Sequence, residues 1–136
     1  MRNKSTALSL VLRRLAAFLY DCLLLISLFF LITSIAISFN NGQAIQHMSF
    51  YIGLYLFAFL FFDWFWRHGG QTLGMRAWRV KVEGIEGSKI TFKQSAIRYF
   101  SGSLLFGFTM FYALISARSQ ALHDVISKTI IIRNYK

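Results

Sequence analysis

RRLAAFLYDCLLLISLFFLITSIAISF, running from Arg13 to Phe39, is an apolar stretch behind paired arginines. About 20 residues rising roughly 1.5 Å each match a hydrocarbon core of roughly 30 Å, so this segment is long enough to cross a bilayer. Its only charged residue beyond Arg14 is Asp21, two turns on and within roughly 20° of the same helical face. Putting a carboxylate inside such a span costs about 2.5–3.5 kcal/mol, so Asp21 needs a partner or a task.

Composition agrees with a membrane setting. The chain has 136 residues, enough for one domain, and its 56% hydrophobic and 18% aromatic content exceed those of an ordinary soluble domain. Proline is absent, so the long segments carry no proline kink. The lone Cys22 cannot form an internal disulfide and leaves the redox compartment open.

The net charge of +10 is segregated along the chain. Arg2, Lys4, Arg13 and Arg14 precede the first span, and Asn40 to His47 carries no lysine, arginine or acid. Arg67, Arg76, Arg79, Lys81, Lys89, Lys93 and Arg98 follow the second span, Met48 to Trp66. The positive-inside rule then places the N-terminus and the middle loop in the cytoplasm. The basic excess marks orientation and contact with anionic lipids of the inner leaflet. No aromatic–basic recognition motif accompanies it, so nucleic acid is not an expected partner.

Met1 to Leu12 reads as a basic lead-in lying along the inner headgroups before the helix turns into the membrane. The apolar run is too long for a signal-peptide core and contains Asp21, so the segment is expected to be retained. At the end of the second span, Asp63 stands one turn before Arg67, with Trp64 and Trp66 at the interface. GGQTLG, residues 69–74, matches neither a Walker loop nor a dinucleotide fingerprint and reads as a loosening of the chain. Trp78 to Val82 alternates as a strand, Gly84 to Ser88 is a turn, and Lys89 to Thr91 is a short return strand. So small a ribbon needs a third strand or a surface, and Lys128 to Arg133 (KTIIIR) offers one.

Thr91 caps a helix that opens a third hydrophobic region reaching Ala117. Tyr99 to Ser116 is long enough for a full crossing, which would put the tail outside. Gly102 and Gly107 allow a different path, a re-entrant hairpin breaking near Gly107 and returning through Phe108 to Ser116 with the tail inside. Both remain open. The expected fold is a single all-α membrane domain, residues 1–136. It has full transmembrane helices at about 15–39 and 48–66, a third hydrophobic helix or re-entrant hairpin near 99–116, and a small cytoplasmic β-ribbon.

Arg14 with Asp21 in RRLAAFLYDCLL, then GQTLGMRAWRVKV, IRYF around Arg98, and QALHDVISKTIII resemble, as a set and in order, the RDD family of membrane proteins. The resemblance places the family's arginine at Arg14 and its aspartates at Asp21 and Asp124. It implies a mostly bacterial, largely uncharacterised membrane family for which a role in transport is suggested, with ion exchange proposed for some members.

Arg14, Asp21, Arg98 and Asp124 are therefore the candidate buried ion-pair or transport site, with Asp63, Arg67 and His123 beside them. An Arg–Asp contact of about 4 Å at an effective dielectric near 20 gives roughly 4 kcal/mol, comparable with the insertion cost of the acid. The expectation is that Arg14 or Arg98 neutralises Asp21. Asp124 ties or caps the tail. Such a cluster serves either as a packing staple in a non-transporting assembly or scaffold subunit, or as a cation or proton site in ion or solute transport. A chain this small cannot hold a two-repeat transporter, so transport implies a homo-oligomer or a membrane-protein partner. No enzyme activity, cofactor or metal is expected, because His123-Asp124 lacks convergent ligands and no serine or cysteine sits beside a base.

Overall fold

A computed structural model of the chain describes residues 4–105 and 121–134. Neither glycine nor proline occurs between Lys4 and Phe39, and the segment forms one uninterrupted helix, α1 (Lys4–Phe39). From Lys4 on, the lead-in is thus not a separate surface segment but the first part of α1, since nothing in it breaks the backbone. At 36 residues α1 is about 54 Å long, well beyond the roughly 30 Å of a bilayer core. Asn41 and Gly42, both at positive φ, end it. α2 (Met48–His68) then returns antiparallel and stops at Gly69. Leu8–Phe39 and Met48–His68 are both long and apolar enough to cross a membrane.

Two contacts fix the level of one helix against the other. Phe29 meets Phe57 edge to face, with ring centroids 6.4 Å apart. Counting back from Phe29 to Asp21 covers as many residues as counting on from Phe57 to Phe65, and Ala17 shares a buried cluster with Trp66. Asp21 therefore stands level with the end of α2. The part of α1 before it projects past that end into a protein-built cap.

The cap holds most of the buried polar groups. α3 (Leu73–Ala77) starts at Thr72, whose side chain accepts from Met75 N. β1 (Val80–Gly84) pairs antiparallel with β2 (Thr129–Arg133), Val82 facing Ile131. Between them come α4 (Phe92–Leu104) and α5 (Leu122–Ile126). Thr91 and Gln94 form a reciprocal capping box at the start of α4, as the sequence suggests for Thr91. Lys89 to Thr91 is not a strand, contrary to the sequence reading. Ile90 turns into the core with Ala17, Trp66, Val80, Val82 and Ile131, and the Thr91 N–H is taken by the Gln94 side chain. Among the described residues the ribbon consequently has two strands, drawn from distant parts of the chain.

α4 lies along α2 through aromatic contacts. Phe59 packs against Phe92, Tyr99 and Phe100, and Tyr55 OH meets Ser103 Oγ at 2.6 Å. Gly107, the stretch Phe108 to Ser116 and Arg118, on which the two readings of the third hydrophobic region turn, lie outside the described residues.

Candidate functional site: a buried arginine–aspartate lock

Asp124 sits in the first turn of α5, where its carboxylate accepts from Ala121 N at 3.0 Å. The same carboxylate takes two guanidiniums. Arg14 Nη2 from α1 donates to Oδ2, and Arg98 Nη1 from α4 donates to Oδ1. The side chains of Arg14, Arg98 and Asp124 are 1%, 2% and 0% exposed. Arg98 Nη1 also donates to Thr129 Oγ1 at 2.9 Å, and its guanidinium lies over the Trp66 ring, 5.1 Å from the centroid. One acid thus binds the first helix, the α4 helix and the tail together. Burial pushes the Asp124 carboxyl up, but Arg98, Arg14, His123 and the Ala121 N–H outweigh it and hold the group well below the usual carboxylate range.

Asp21 is not neutralised by arginine, which corrects the sequence expectation. Arg14 and Arg98 turn to Asp124, and among the described residues no salt bridge reaches Asp21. Its partners are neutral: Thr72 Oγ1 donates to Oδ2, and Gly74 N donates to Oδ1 at 2.9 Å. Both come from the start of α3, which the sequence reading treated as loose chain. The reason is geometric. Gly74 lets α3 approach so closely that a Cβ there would collide with Ala17 O and lie 3.0 Å from Asp21 Cγ. Asp21 is 2% exposed.

Asp63 pairs with Arg67, the partner its i, i+4 spacing offers. Arg67 Nε reaches both carboxylate oxygens at 2.9 Å and Nη2 reaches Oδ2 at 2.6 Å, a forked arrangement on a carboxylate that is itself buried. This pair stands apart from the Asp124 lock, on the α2 side of the cap. Among the described residues no group of three or more His, Cys, Asp or Glu is placed to hold a metal.

His123 lies beside the lock, its Nε2 3.4 Å from Asp124 Oδ1. Burial, reinforced by Arg98 and Arg14 and only partly opposed by Asp124, pushes the imidazole down to about 3 from 6.5. His123 is therefore neutral in the folded protein at neutral pH. The unfolded chain takes up a proton below about pH 6.5 that the folded chain refuses, so stability falls as pH drops toward 3. The expected loss is about 2 kcal/mol between pH 7 and pH 5. Asp124 adds its own loss only below its unfolded value of 3.8. Denaturant unfolding in detergent at the two pH values measures this, and His123→Gln is expected to remove most of the difference.

Thr72, Gly74 and Thr129 were not singled out as site residues from sequence. A threonine directly before Leu-Gly-Met-Arg-Ala fits an N-cap, the one local signal that pointed to Thr72. Nothing local pointed to Thr129.

The sequence profile of the RDD family matches residues 8–128. An uncharacterized protein of Rickettsia prowazekii (strain Madrid E) is 35% identical over 75 residues, a match covering 54% of this chain and 43% of that protein. The chain thus aligns with less than half the length of that relative. No solved structure matches. With a profile match over most of its length, two apolar helices of spanning length and the lock built on Arg14 and Asp124, the chain belongs to the RDD family of membrane proteins.

Proposed function

We propose that this is a multi-pass bacterial inner-membrane protein acting in ion or solute movement, in which Asp21 is the exchangeable acid and the Arg14–Asp124–Arg98 lock holds the fold around it. The observation that carries this reading is a contrast among buried acids. Asp124 and Asp63 are each matched by guanidinium, whereas among the described residues Asp21 is held by a hydroxyl and a backbone N–H without a guanidinium. A buried carboxylate without a countercharge gains most from taking a proton or a cation. Its neutral donors belong to a five-residue helix, α3, whose small displacement would open the site.

The N-terminus and cap face the cytoplasm in this reading, by the charge asymmetry of the loops. Pairing of β1 with β2 supports a third hydrophobic region that returns to the side it left, the re-entrant path. In this reading the chain works as an oligomer or with a membrane partner.

Asp21→Asn tests the proposal. Asparagine keeps an acceptor for Gly74 N and the side-chain shape, so the variant is expected to insert and fold. In proteoliposomes the wild type is expected to dissipate an imposed ion or pH gradient and the variant to lose at least about tenfold of that rate, or about 1.4 kcal/mol of barrier. A wild type with no flux would favour a second reading, a non-transporting assembly subunit. That reading draws on the position of Asp21, level with the end of α2 instead of midway along the spans.

A further inference from the structure

Where α2 ends, the chain makes a cleft of about 150 Å³ whose walls include Trp66, Arg67, Gly69, Lys81, Glu83 and Lys89. Three cations and one acid face it. Lys81 Nζ pairs with Glu83 at 2.8 Å and Arg67 with Asp63, while among the described residues no salt bridge engages Lys89. The surplus is positive.

Two further features bear on what fills it. Trp66 is 7% exposed, and its indole Nε1, a donor only, has no acceptor among the described residues. A buried donor of that kind is costly unless an acceptor arrives. Gly69 on the wall leaves room as well: at φ −138 any residue is tolerated, and a Cβ there would meet nothing nearer than Phe65 O at 3.9 Å.

Position selects the source of an anion for this cleft. The cleft opens at the last turn of an apolar helix of spanning length, beside the exposed ring of Trp64, which is the level of lipid headgroups. We infer that this cleft binds the phosphate of an anionic phospholipid, with Lys89 as its principal cation and Lys81 and Arg67 flanking. The inference goes beyond the transport reading and does not need Asp21 to exchange anything. It gives the cap a specific lipid contact in place of a diffuse basic surface.

The test uses the full chain in detergent, with phosphatidylglycerol or phosphatidylcholine added and the retained lipid read by native mass spectrometry. Phosphatidylglycerol retention is expected to exceed that of phosphatidylcholine, and Lys89→Ala is expected to cut it by about tenfold, the scale of one lost charge-assisted contact. Gly69→Glu places a carboxylate in the cleft and should abolish retention, while the uncharged Gly69→Gln should retain lipid within about twofold, since side chains fit at that position. Equal retention of the two lipids, or full retention by Gly69→Glu, overturns the inference. Displacement of the lipid by millimolar inorganic phosphate also overturns it, because the site would then take free phosphate in preference to a headgroup.

Discussion

Asp124→Ala is expected to destabilise the protein by about 3–5 kcal/mol, because it takes the countercharge from two buried guanidiniums at once. Arg14 and Arg98 are each almost fully enclosed and both direct a nitrogen to this carboxylate. Asp124→Asn keeps the volume and one acceptor for Ala121 N but removes the charge, and its amide meets a guanidinium donor to donor. It should therefore fall within about 1 kcal/mol of the alanine variant. The cost belongs to breaking the lock more than to lacking one. Replacing all three residues together with Arg14→Met, Arg98→Met and Asp124→Leu is expected to recover most of the loss, since apolar side chains of similar volume carry no unpaired charge. Denaturant midpoints of the purified variants in one detergent give the comparison.

Gly74→Ala is the second large effect. A methyl group at this position runs into Ala17 O and the Asp21 carboxyl, and Ala17 is buried in the middle of a 36-residue helix that cannot give way locally. α3 must therefore withdraw, taking the Gly74 N–H and the Thr72 hydroxyl away from Asp21. Overpacking costs about 1–3 kcal/mol and a lost hydrogen bond to a charged group about 1.5–3 kcal/mol. The sum, about 2.5–6 kcal/mol, is enough to unseat the cap in a protein of ordinary stability. Gly69→Ala, where the space is open, should shift the unfolding midpoint by no more than about 0.5 kcal/mol. If the two glycine variants unfold alike, α3 does not press on α1 as described.

The two long helices were legible because hydrophobic length and loop charge are local properties. Thr91 as a helix cap was also accessible from capping chemistry, and a strand near Trp78 to Val82 and another in the KTIIIR tail from alternation and β-branching, although the first strand falls two residues later, at Val80–Gly84. The list of charged groups that would be buried could be drawn up as well. Who binds whom could not. Arg14 and Asp21 lie on one face of α1, and their nearness in sequence suggests a pair; the fold instead brings Arg14 to Asp124 across most of the chain. That choice is made by tertiary packing, which delivers α5 to Arg14 and α3 to Asp21. The depth of Asp21 is likewise a matter of tertiary contacts. Asp21 sits inside an apolar run, but α1 is longer than the membrane needs, and only the contacts with α2 and α3 reveal where its protein-covered part begins. α3 itself, five residues after a glycine pair, carries too little periodicity to be seen.

A double-mutant cycle between Arg14 and Asp124 bears most directly on the lock. With Arg14→Met, Asp124→Ala and their combination unfolded in the same detergent, the two residues are expected to couple by at least about 2 kcal/mol, the double variant losing far less than the sum of the singles. Additive losses within about 0.5 kcal/mol would mean that the tail aspartate and the first helix do not meet, and the account of this fold would be wrong.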